Sequence, residues 1–183
     1  MLRVPAVAFA ASLLLALPAH AAPQVTDPRG DALTGSPGAD IVSVQFSARG
    51  AGARRALAVA VTYAGAPDPL VSHQVTFTSP ACGEVYVQAF PNGTLGDAEC
   101  LGDERFEVAY SVAGDVLTFV LPFAPVRLRR GAVLRDLTAY TAVSDPALGY
   151  ESQEVWSAVA AQTGLPGSGA VDMASSDATF RIP

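Results

Sequence analysis

The chain has 183 residues, half of them hydrophobic and only 15% charged. That excludes a disordered tail and supplies enough apolar material for one packed core. Seventeen acids stand against 11 bases, all arginine, for a formal net charge of −6. A field of that sign excludes a nucleic-acid backbone as partner.

Arg3, the apolar run from Val4 to Leu17 and the small residues of Ala19-His20-Ala21 predict a secretory signal peptide over residues 1–21. The apolar run falls short of the roughly 20 residues that cross a bilayer. No later segment reads as a membrane span, so residues 22–183 are expected as a single domain, secreted and extracellular. In that oxidising setting Cys82 and Cys100, the only cysteines, are expected to pair. Closing so short a loop is worth about 3 kcal/mol.

The dominant pattern after the signal is alternation. From Asp40 to Ala48, Val42, Val44 and Phe46 share one face, and Ser43, Gln45 and Ser47 the other. Leu57 to Tyr63 repeats the pattern after a turn at Arg49-Gly50-Ala51-Gly52. Val71 to Thr78 and Glu84 to Phe90 follow, with a turn predicted at Pro91-Asn92-Gly93-Thr94. Phe106 to Val112 and Val116 to Leu121 form a hairpin about Ala113-Gly114-Asp115. Leu134 to Val143 is a further strand, Glu151 to Gln162 one or two helical turns, Gly164 to Gly169 a flexible loop and Ala178 to Ile182 a closing strand. Eight to nine strands, at most one short helix and no helix–strand alternation predict an all-β antiparallel sandwich of jelly-roll type.

Residues that carry chemistry are few. Asp27 and Asp31 bracket Pro28-Arg29-Gly30, and Asp40 opens the first long strand. Three carboxylates in a Gly- and Pro-rich loop repel one another unless a cation or a basic partner neutralises them, and oxygen ligands suit calcium. Asp172 is a further candidate ligand if the terminal strands lie side by side. The alternative is that these acids cap backbone amides in turns.

The run Asp27-x-x-Gly30-Asp31, then Asp40-Ile41, then alternating strands leading to Val120-Leu121-Pro122 resembles secreted bacterial β-sandwich domains of the DOMON-like and family 9 carbohydrate-binding-module-like groups. The resemblance implies structural calcium held by acids near the N-terminus, here Asp27, Asp31 and Asp40, with Asp172 as the looser match. The chain departs from the sugar-binding members in its aromatic residues, having a single tryptophan, Trp156.

Together these features predict a secreted binding or accessory module with structural calcium, facing an extracellular glycan or envelope component. An envelope protein-interaction domain without metal is the alternative, with Arg127, Arg129 and Arg130 as its contact loop. An enzyme is not expected. One histidine, His73, remains after the signal, no Gly-x-Ser-x-Gly turn is present, and the carboxylates Asp103, Glu104 and Glu107 crowd one segment. They leave a small carboxylate-dependent hydrolase as the least favoured reading.

Overall fold

The alternating segments become antiparallel strands wrapped around one apolar interior. The computed structural model describes residues 22–89, 95–100, 105–143 and 170–183. Its strands are β1 (Val25–Thr26), β2 (Ile41–Arg49), β3 (Ala56–Tyr63), β4 (Val71–Ser79), β5 (Gly83–Ala89) and β6 (Leu95–Cys100), followed by β7 (Phe106–Ala113), β8 (Val116–Pro122), β9 (Val133–Val143), β10 (Ala170–Ser176) and β11 (Phe180–Arg181). Among the described residues the only helical piece is a 3-10 turn at Gly52–Arg54. The helix expected at Glu151 to Gln162, the loop at Gly164 to Gly169 and the turn at Pro91 to Thr94 lie outside the described residues.

Pairing follows one path, β1-β2-β3-β8-β7-β6-β5-β4-β9-β10, with β11 added to β9. Every pair is antiparallel. The ends of that path, β1 and β10, come to lie beside each other, so the sheet curls into a nearly closed barrel. The sequence reading expected the two separate sheets of a jelly roll; the ladder is instead continuous. Alternation tells which side chains face inward, and says nothing about which strands pair.

The interior is filled from opposite walls. Phe46 on β2 and Phe77 on β4, far apart along the path, meet edge to face with ring centroids 5.8 Å apart. Val59, Val61, Val87, Leu117, Leu121, Leu134 and Leu137 are fully buried around them. Removing each such side chain from water stabilises the fold by roughly 1.5–3 kcal/mol. Cys82 and Cys100 form a disulfide with a Cα–Cα distance of 5.4 Å, tying the β4–β5 turn to the end of β6.

Strand β6 escaped the sequence reading because its inward residues Gly96, Ala98 and Cys100 are small. The smallness is required. A Cβ on Gly96 would stand 2.3 Å from the Gln88 carbonyl oxygen of β5, so only glycine allows that approach.

Candidate functional site

A loop from Asp27 to Asp40 joins β1 to β2 and folds across one end of the barrel. Backbone bonds hold it down: the Leu33 amide donates to the Val171 carbonyl at 2.9 Å and the Gly65 amide to the Pro37 carbonyl at 2.9 Å. From the opposite wall, the Thr141 hydroxyl on β9 donates to the Ala39 carbonyl at 2.9 Å. Ala32, Ala39, Val71 and Val171 make a small apolar plug beneath the loop. Gly30 sits at φ +87, a backbone conformation that a side chain disfavours.

Two β-bulges flank this end. In β2 the register shifts between Ile41 and Ser43, leaving Val42 as the extra residue. Ile41 turns fully inward, and the Val42 carbonyl accepts the Asp27 amide at 3.0 Å. In β10 the shift falls between Ala170 and Asp172, and the extra Val171 offers its carbonyl to Leu33. At each bulge the carbonyl of the extra residue holds the acidic loop. The sequence expectation that Val42 faces inward with Val44 is corrected by the first bulge.

The result is a carboxylate group. One oxygen from each of Asp27, Asp31 and Asp172 lies within 4.8 Å of the others. Asp27 follows β1 and Asp172 belongs to β10, so the group draws on both free edges of the sheet, with Asp31 from the loop between. Asp172 is braced on both oxygens, accepting the Ile41 amide at 2.5 Å and the Met173 amide at 2.8 Å. Asp27 Oδ2 is buried with no hydrogen-bond partner.

Asp40 stands just behind. Its Oδ2 accepts the Gly30 amide at 2.7 Å, which shapes the loop, while Oδ1 is buried and unpartnered. The residue is only 4% exposed. It thus supports the group rather than joining its three closely spaced oxygens, and of the four acids singled out in the sequence the structure brings Asp27, Asp31 and Asp172 together.

The electrostatics follow from this geometry. Burial first, then the charges of Asp172, Asp31 and Asp40, push the Asp27 carboxyl from 3.8 up to about 6. Asp172 is also raised, by burial, although the Ile41 amide bond opposes the rise. Tyr63 is raised well above its ordinary value by burial and by Asp172. Among the described residues the one ion pair is Arg105–Glu99, so Arg29 does not neutralise the group through an ion pair. Arg29, Gly30, Ser36, Pro37, Asp40 and Ala64 line an open cleft of about 350 Å³ beside it. Oxygen donors alone make up the group, and two ligands at calcium distances of about 2.4 Å on opposite sides of an ion are about 4.8 Å apart.

The remaining sequence candidates fall elsewhere. His73 is fully buried against Tyr63, with ring centroids 4.8 Å apart, and its Nε2 lies 3.0 Å from the Asp68 carbonyl. Burial lowers its pKa from 6.5 to about 4. Glu107 is exposed on β7, directly across from Asp97 on β6. Asp103, Glu104 and Trp156 lie outside the described residues.

Sequence reasoning missed Ser36 and Asp68, whose side chains bond at 2.6 Å and tie the acidic loop to the β3–β4 connection. Neither carries a local signal, because the contact joins segments 32 residues apart. Comparison with protein-family models, with curated proteins and with solved structures finds no match for the chain.

Proposed function

We propose that the protein is a secreted binding or accessory module whose curled sheet is fastened at its open edge by a structural calcium ion, and that it meets an extracellular polysaccharide or envelope component. The observation that carries the reading is the meeting of Asp27 and Asp172, from opposite edges of the sheet, with Asp31 in one carboxylate group. A hard cation there replaces the missing backbone ladder between β1 and β10 and offsets the repulsion that raises Asp27. The unpartnered oxygens of Asp27 and Asp40 support the same reading, since buried carboxylate oxygens without a donor are costly. So does the resemblance to DOMON-like and family 9 carbohydrate-binding-module-like domains, in which acids near the N-terminus hold calcium.

The disulfide suggests an oxidising compartment, and among the described residues no helix is long and apolar enough to cross a membrane. With the predicted signal peptide, both favour export. The role is non-enzymatic in this reading. Metal analysis of the purified protein, with thermal melts in calcium and in chelator, tests it. About one equivalent of calcium and a melt that falls in chelator are expected; a metal-free protein whose melt ignores both would instead favour the amide-capping role that Asp172 and Asp40 already perform.

A further inference from the structure

Among the described residues the charges are sorted between the two ends of the barrel. At the end described above lie Asp27, Asp31, Asp40, Asp68, Asp115 and Asp172, with Arg29 as the single described arginine. The opposite end is set by strand register: Arg49 pairs with Ala56, Ala56 with Pro122, and Arg181 with Val133. The β2–β3 turn there carries Arg54 and Arg55, and the β8–β9 connection carries Arg127, Arg129 and Arg130. Arg135 follows at the start of β9.

These segments form one surface. The Phe123 amide donates to the Arg55 carbonyl at 3.1 Å, and the Gly131 amide donates to the Ile182 carbonyl at 2.8 Å. The Arg55 guanidinium lies over the Phe123 ring, 4.9 Å from its centroid, and donates to the Pro183 carbonyl at 2.5 Å. An open cleft of about 370 Å³ runs between the Gly50–Gly52 turn, Arg55, Arg130 and Pro183. Among the described residues the acids sharing this end are fewer: Asp136 and Asp177, with Glu84, Glu99 and Glu107 on the outer face, where Glu99 is taken by Arg105. Arg54, Arg129 and Arg130 are exposed and form no ion pair with a described residue.

We infer that this arginine-bearing end binds an anionic polysaccharide through the carboxylate or sulfate groups of its sugars. The inference rests on the binding-module reading above, for which it names a ligand class and a face. Guanidinium forks match carboxylate and sulfate oxygens, and arginines spread over several loops suit a polymer with charges repeated along its length. A bilayer fits less well. The exposed large hydrophobics among the described residues are Leu33, Leu70, Val112 and Met173, and none belongs to this end, so it has no apolar wedge to insert. Duplex DNA carries the same sign of charge and enters the test as a competing outcome.

The test is binding of the full exported domain to immobilised polygalacturonate and dextran sulfate, with neutral dextran, phosphatidylglycerol vesicles and duplex DNA as comparisons, in chelator and again in calcium. Expected is binding to the two anionic polymers in either buffer, weakening at least tenfold between about 50 and about 300 mM NaCl. R129Q/R130Q should weaken it by roughly tenfold, and adding R54Q should abolish it. R105Q, whose guanidinium is engaged by Glu99, should stay within about twofold of wild type. Melts of each variant confirm folding. Equal binding to neutral dextran, preference for vesicles or DNA, or indifference to R129Q/R130Q would overturn the inference, as would no binding at all. A calcium-induced melt shift is read on the same samples, so loss of polymer binding with the shift intact rejects this face and leaves the cation reading standing.

Discussion

Replacing Asp27 by Asn separates the effect of a cation from that of a capped loop, because the variant is the more stable protein without the ion and loses that advantage when the ion is present. In the metal-free protein the Asp27 carboxyl is raised from 3.8 to about 6 by burial and by three neighbouring acids. The folded state therefore holds that proton more tightly than the unfolded chain, and stability is lost as pH rises through about 6. A shift of that size corresponds to about 3 kcal/mol, and solvent around this half-buried group reduces it to roughly 1.5 kcal/mol at pH 7.5. Asn carries no such charge, so D27N in chelator should melt about 4 °C above wild type. Calcium closes the gap. At about 1 mM calcium and a dissociation constant of about 0.1 mM, linkage adds about 1.4 kcal/mol to wild type, again about 4 °C. D27N should barely respond. Calorimetric melts of both proteins at pH 7.5, with chelator and with calcium, give all four values. A D27N protein no more stable than wild type in chelator, beside a wild type that calcium leaves unmoved, would refute the reasoning.

Other perturbations test the frame around the site. G38A should cost at least about 2 kcal/mol in denaturant melts and weaken any calcium response, because a Cβ there would sit 2.0 Å from the Ala66 carbonyl oxygen and 2.6 Å from the Asp68 amide nitrogen. Reducing the Cys82–Cys100 bridge, or replacing both residues by Ala, should lower stability by about 3 kcal/mol in urea titrations without abolishing the calcium-dependent shift. His73 is held neutral, its pKa lowered from 6.5 to about 4, so the unfolded chain takes up a proton first on acidification. Between pH 6.5 and 4 wild type should therefore lose about 3 kcal/mol relative to H73Q, with the difference constant below pH 4, as measured by urea melts across that range.

Much of the wall of this barrel is legible from residue order. Val44 and Phe46, Val59 to Tyr63, and Leu117 to Leu121 alternate in burial, and packing against one interior forces the outcome. Where inward residues are small, as at Gly96 and Ala98, alternation gives no contrast and the strand is invisible. β10 was hidden by a different cause, since its bulge at Val171 breaks the period of two beside Asp172. The same applies at Val42. For the site, like charges crowded into one loop with Gly30 pointed to Asp27, Asp31 and Asp40, and the guess that the terminal strands lie together reached Asp172. What no local pattern could rank was the division of labour among them. Asp40 turns to the Gly30 amide and Asp172 to Ile41, choices set by contacts 10 and 131 residues distant.

The seam between β1 and β10 also bears on when the chain finishes folding. Inside a cell, reducing and poor in free calcium, neither the sulfur bridge nor an ion across the seam can form. If the protein is exported as proposed, a precursor there would keep its terminal strands loosely attached, pliable enough for passage through a translocation channel. Export would then supply both braces at once, and closing the seam would cover a strand edge able to recruit another copy of itself. On that reading the carboxylates that repel one another in the newly made chain would act as a delay, released by the composition of the surrounding medium.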